Sequence, residues 1–245
     1  MAILLLVPPL LYLTWIRRAE RYQREPWGHL LRVFVGGAVV AVLISIVLEY
    51  YAFAGYGFLA REYVLLGTDF RTETVVLVCI IAPFVEEMAK GLIVGWKRRW
   101  LLEVEDGLVY GAASGLGFAT TENLLYGLAA MLEFGVGGFV GTVFIRSISS
   151  VFLHASATAI TGYGISRKTL GVGSSALPYF FAAVSLHGIF NLVASLQVLF
   201  GPEYGLLSLL LAVAIGVTAI RRARKKIVEL DRHAPATKRY RKLTR

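Results

Sequence analysis

The chain has 245 residues, of which 57% are hydrophobic and only 17% charged, with a mean hydropathy of +0.67 and a formal net charge of +9. Soluble domains of this length are much more polar, so the composition excludes an ordinary soluble enzyme and predicts an all-α, polytopic transmembrane helical bundle. The charge does not point to nucleic acid, because most of it sits in short connections beside apolar runs, where it reads as a signal of membrane topology.

A helix that crosses hydrocarbon needs about 20 apolar residues, and in chain order the candidates are 2–16, 30–54, 75–96, 107–132, 139–165, 176–200 and 204–220, about seven helices in all. The first is short and contains Pro8 and Pro9. A cleaved signal peptide is its alternative, but no basic segment precedes it and Arg17 and Arg18 follow it, so a retained first helix is expected.

Segments 17–29, 97–106, 166–175 and 221–245 carry 20 of the 25 Lys and Arg residues, whereas 55–74, 133–138 and 201–203 carry only Arg61 and Arg71. With seven spans this predicts a plasma-membrane protein with its N-terminus outside and all four basic segments in the cytoplasm. Residues 1–220 then form the membrane domain. Residues 221–245 form a basic cytoplasmic tail, expected to run on as an amphipathic extension, to end in disorder, and to contact anionic lipid head groups. The longest connection between spans, 55–74, has room for a short interfacial helix. No internal repeat of the kind found in many transporters stands out.

The fourth span carries Gly107, Gly111, Gly115 and Ala119, small residues four apart on one helix face, which predicts a close crossing with another helix. Gly117, off that face, predicts crowding on a second side. Cys79 is the single cysteine, which rules out an internal disulfide and a thiolate zinc site.

The informative residues are those whose placement costs free energy. A charged Asp, Lys or Arg at a span centre costs roughly 2.5–3.5 kcal/mol on insertion scales, so a run of ionisable groups needs a compensating role. Four spans hold such groups: Glu86, Glu87 and Lys90; Glu122 beside Asn123; Arg146 and His154; and His187 with Asn191. Glu86 and Lys90 lie four residues apart and share a helix face, while Glu87 points about 100° away. A structural ion pair with a spare carboxylate is the plainer reading of that trio. Pro83, one turn earlier, frees a backbone carbonyl and bends the helix beside the carboxylates. His154 and His187 each have a polar residue four positions on, Thr158 and Asn191.

Hydrolysis needs a base for water and donors for the developing oxyanion, and this set supplies both: a carboxylate as base, with His and Asn as donors. Spacing does not decide between Glu86 and Glu87. Zinc is the alternative, since two His and one Glu make a catalytic ligand set, here His154, His187 and Glu86 or Glu87. A non-enzymatic, proton- or ion-coupled transporter would use the same buried groups. No His-Glu-x-x-His or Gly-x-Ser-x-Gly motif occurs, and Ser114 and Ser156 read as packing residues.

Four ordered motifs resemble the PrsW family of intramembrane proteases: Glu86-Glu87-x-x-Lys90; Glu105-Asp106-Gly107 leading to Glu122-Asn123-Leu124-Leu125-Tyr126; His154; and His187 with Asn191. The resemblance covers about residues 80–195 and reaches the wider group of CAAX prenyl endopeptidases and bacteriocin-processing enzymes. It implies an endopeptidase that hydrolyses membrane-anchored proteins, with Glu86 or Glu87 as base, His154 and His187 completing the site, Asn191 as oxyanion donor and Glu122 as a further acidic member. Lys90, Asn123 and Tyr126 are the supporting residues. No cofactor is preferred on this reading. Depth raises one difficulty, because Glu122 sits roughly 22 Å into its span and Glu86 roughly 14 Å into its own.

Overall fold

The computed structural model describes residues 1–22, 24–63 and 70–232. Among these the chain is helical and contains no strand. Its helices are α1 (Ala2–Arg17), α2 (Trp27–Val35), α3 (Val42–Tyr63), α4 (Phe70–Val76), α5 (Ala82–Trp96), α6 (Val104–Ile148), α7 (Ser150–Thr169), α8 (Leu177–Ala194), α9 (Leu196–Phe200) and α10 (Gly205–Arg232). A wide π turn joins α2 to α3 and another joins α4 to α5, so the ten described helices form eight rods, the shortest of them α9. Four stretches are long and apolar enough to cross a membrane: Trp27–Leu59, Val104–Thr169, Leu177–Ala194 and Pro202–Arg232. Ala2–Arg17 is apolar but shorter. The rod of α4 and α5 is less apolar because it carries Glu86, Glu87 and Lys90.

The all-α bundle expected from composition is present, with differences at its breaks. α3 continues as helix to Tyr63, into the stretch expected to be a connection; residues 64–69 lie outside the described residues. The predicted fifth span is divided. α6 turns at Gly135, whose left-handed φ of 66° is open to glycine at little cost, and its second arm stops at Ser149, where α7 begins. The Gly135 turn falls in the connection expected at 133–138, whereas the apolar run across Ser149 hid the second break. α10 extends through the predicted span end at residue 220 to Arg232, keeping Ala223, Ile227 and Asp231 buried, while 233–245 lie outside the described residues.

The first half of α6 is the axis of the bundle, buried almost continuously from Glu105 to Thr120. Its start is fixed by a capping box in which the side chains of Glu103 and Asp106 each accept a hydrogen bond from the other's end of the first turn. The small-residue face then meets α7. A Cβ on Gly107, Gly111 or Gly115 would strike the backbone of Gly162, Thr158 or His154 respectively, so the two antiparallel helices touch at three successive turns. Gly117 faces the other way against the Phe34 carbonyl of α2, the second crowded side expected from its position. The backbone contact at Gly115 sets the height and distance of His154.

The π turn before α5 follows from Pro83, which has no N–H to offer one turn back. Two carbonyls of that turn face α8. Val78 accepts from the Asn191 side chain at 2.9 Å, and the Cys79 carbonyl lies so near Gly188 that any Cβ there would collide with it. The turn thereby seats α8 beside Glu86 and Glu87.

Candidate active site

α5, α6, α7 and α8 bring the ionisable groups of four rods together. Glu87 and Lys90 are wholly enclosed, and Glu86, His154 and His187 are nearly so. Lys90 Nζ lies 2.6 Å from Glu87 Oε1, 3.3 Å from Glu86 Oε2 and 3.0 Å from His154 Nδ1. Its ammonium also sits over the Phe118 ring, 4.5 Å from the centroid. One lysine therefore ties both carboxylates of α5 to the imidazole of α7.

The two glutamates have different surroundings. Glu87 is pinned on all sides: Thr158 donates its hydroxyl at 3.0 Å, His187 Nδ1 lies at 3.1 Å, and Lys90 completes the set. Glu86 lines a cavity of about 820 Å³ that also receives Glu122, His154, Tyr126, Arg146 and Asn191. The nearest imidazole nitrogens, His154 Nδ1 and His187 Nε2, are each 3.8 Å from Glu86 Oε2. The two rings meet edge to face at 4.8 Å.

Glu122 joins this centre through His154, with Oε2 2.7 Å from Nε2, and the apparent gap in depth closes across the ring. The same oxygen is 2.8 Å from Arg146 Nη2. Arg146 is held in turn by Asn123 Oδ1 at 2.8 Å, by Ser150 Oγ at 3.0 Å and by the Tyr126 ring 4.0 Å away. Of the supporting residues expected from sequence, Lys90 touches both carboxylates of α5, whereas Asn123 and Tyr126 contact Arg146. Asn191 reaches the cavity wall with one amide N–H committed to Val78, and its Nδ2 carries a second.

Three features escaped the sequence reading. Glu49 of α3 also lines the cavity, and an acid inside the predicted 30–54 span was signal enough to find it. Thr158, noted as the partner of His154, instead serves Glu87. Arg146, seen only as a charge in a span, is the counter-ion of Glu122.

The neighbours of each ring assign its nitrogens: His187 Nδ1 faces Glu87, which leaves Nε2 toward Glu86, and His154 Nδ1 accepts from the Lys90 ammonium while Nε2 faces Glu122. Glu86, His154 and His187 can each place one ligand atom within 4.8 Å of the others. Two imidazole nitrogens and one carboxylate are the donor types of a zinc site, and an ion there would displace the Lys90 ammonium from His154 Nδ1 and Glu86 Oε2.

The fold and the site define a helical membrane protein with a buried carboxylate and imidazole centre that opens on a cavity. The family model for the PrsW family intramembrane metalloprotease matches residues 25–219. The chain belongs to the PrsW family of intramembrane proteases. It is similar to Protease PrsW of Clostridioides difficile, 29% identical over 211 residues that span 80% of this chain and 79% of the relative. It is similar also to Protease PrsW of Geobacillus kaustophilus, 26% identical over 83% of this chain and 84% of the relative, and to that of Bacillus subtilis, 24% identical over 77% and 79%. No solved structure matches the chain.

Proposed function

We propose that this protease cuts membrane-anchored proteins inside the bilayer, with Glu86 as the base that takes a proton from water and passes it to the leaving amine. The observation that carries this reading is the division of labour on α5: Glu86 faces the cavity, whereas Glu87 is held by Lys90, His187 and Thr158. Glu87 then acts as a positioning residue for His187, and Glu122 does the same for His154. The second N–H of Asn191 is the oxyanion donor on the cavity wall.

A second reading is favoured by the donor types: Glu86, His154 and His187 hold a zinc ion, which would supply Lewis-acid polarisation of the scissile carbonyl and an acidified water. In that case Glu87 orients His187 through Nδ1 and leaves its Nε2 for the ion.

The protein sits in the plasma membrane with its basic connections on the cytoplasmic side, and its basic tail lies against anionic lipid, on the strength of the Lys and Arg distribution. The test is cleavage of a library of membrane-spanning peptides in liposomes by the wild type and by Glu86→Gln, with metal analysis and chelation alongside. Loss of cleavage in the variant supports the role of Glu86. Stoichiometric zinc with chelator-sensitive cleavage selects the metal reading, and cleavage indifferent to chelator in metal-free protein selects the glutamate base. Undiminished cleavage by Glu86→Gln rejects both.

A further inference from the structure

A second group of acids lies away from the active site. Glu20 and Glu25 sit in the turn between α1 and α2, and Asp106 in the first turn of α6. Glu122 is sixteen residues further along α6, roughly 24 Å by helix rise. The three side chains are buried, at 1%, 8% and 2% exposure, and one carboxylate oxygen from each lies within 4.8 Å of the other two.

The neighbouring groups hold these carboxylates in place without neutralising them. Glu20 Oε2 accepts the Glu25 amide at 3.1 Å, Glu25 accepts the Tyr110 hydroxyl, and Asp106 Oδ2 accepts the amides of Leu102 and Glu103 at 2.7 Å each. Among the described residues no Lys or Arg forms an ion pair with any of the three. The closest guanidinium groups turn to the backbone: Arg17 donates to the Glu25 carbonyl at 2.6 Å and Arg24 to the Glu20 carbonyl at 2.9 Å. Glu20 Oε1 is enclosed and has no hydrogen-bond partner at all. A buried carboxylate oxygen left unpartnered costs free energy that a ligand would recover.

The donor atoms are all oxygen, from three carboxylates on two separate elements, which is the chemistry that hard cations take and that zinc or copper does not select. We propose that Glu20, Glu25 and Asp106 bind a hard divalent cation, Mg²⁺ or Ca²⁺, that fastens the turn between α1 and α2 to the start of α6. The site stands apart from the catalytic centre and does not depend on either reading of the chemistry there. Its effect is on the stability of the bundle, because the ion binds only where the fold brings the two elements together.

The test uses the full chain, purified in detergent and stripped of metal. Titration with Mg²⁺ or Ca²⁺ is expected to raise the unfolding temperature by roughly 5–10 °C at a hundredfold excess over Kd. The rise should persist in Glu86→Gln and vanish in Glu20→Gln and in Glu25→Gln. Should either of these variants fail to fold, Tb³⁺ serves as a calcium stand-in for the wild type and the remaining variant, its emission sensitised by Tyr110 against Glu25. Emission that Mg²⁺ or Ca²⁺ displaces, and that the variant loses, supports the site. No rise in the wild type at millimolar concentrations of either ion, or a rise or emission undiminished in the Glu20 and Glu25 variants, overturns it.

Discussion

Glu87 and Lys90 stand 2.6 Å apart, one turn from each other on α5, with no part of either side chain exposed. Removing one member of such a pair strands the other as a bare charge, a cost that exceeds the worth of the pair itself. Lys90→Met should therefore lower stability by about 3–5 kcal/mol. The double variant Lys90→Met with Glu87→Gln should recover part of that loss. Thermal unfolding of the three proteins in one detergent checks the sign of the recovery.

The two glutamates of α5 should separate by phenotype. Glu86→Gln should cost about 100-fold or more in cleavage rate, the range for losing a general base, with little change in unfolding temperature. Glu87→Gln should lower both, because Thr158, His187 and Lys90 all address that carboxylate. Equal stability of the two variants would mean that the enclosure of Glu87 has no energetic weight.

Glu122 touches the centre through His154, and on the proposed reading its loss should be graded rather than complete. Glu122→Gln is expected to reduce kcat by about 10–100-fold, as the loss of a carboxylate that orients an imidazole does elsewhere. KM should hardly move. Glu122→Asp should restore part of kcat if orientation is the role, and a KM effect in place of a kcat effect would assign Glu122 to substrate binding.

The contact of α6 with α7 predicts a contrast between two glycines. Gly115→Ala puts a methyl group into the His154 carbonyl and should reduce both cleavage and stability by forcing the helices apart. Gly137→Ala, in the second arm of α6, meets nothing within 4 Å and should behave as wild type. Assay of the paired variants in the same liposomes makes the comparison direct.

Much of the centre was legible in the sequence because hydrocarbon penalises charge: Glu86, Glu87, Lys90, Glu122, Arg146, His154 and His187 stand out against apolar runs. The same logic explains what was missed. Glu49 lies near the end of a predicted span and passes for an interfacial residue, although it faces the cavity. The choice between Glu86 and Glu87 depends on Thr158 and on the rotation of α7, which the glycine contacts fix and no residue pattern on α5 discloses. The bend at Gly135 falls in the connection expected at 133–138, but the break at Ser149 lies inside the apolar run of the predicted fifth span, so hydropathy carried no sign of it. Glu20 and Glu25 went unremarked because their segment was read for its arginines alone.

α10 supplies Ser208, Leu209 and Ala212 to the cavity, and its Asp231 accepts the amides of Arg21 and Tyr22 at 3.0 and 3.2 Å. Of the described helices it is the last to be made, yet it closes the chamber and clasps a turn some 210 residues earlier. During synthesis the acids and imidazoles of α5 to α8 are therefore in the bilayer before the chamber has its final wall. A ribosome-bound chain that lacks this helix holds the reactive groups with no finished enclosure around them.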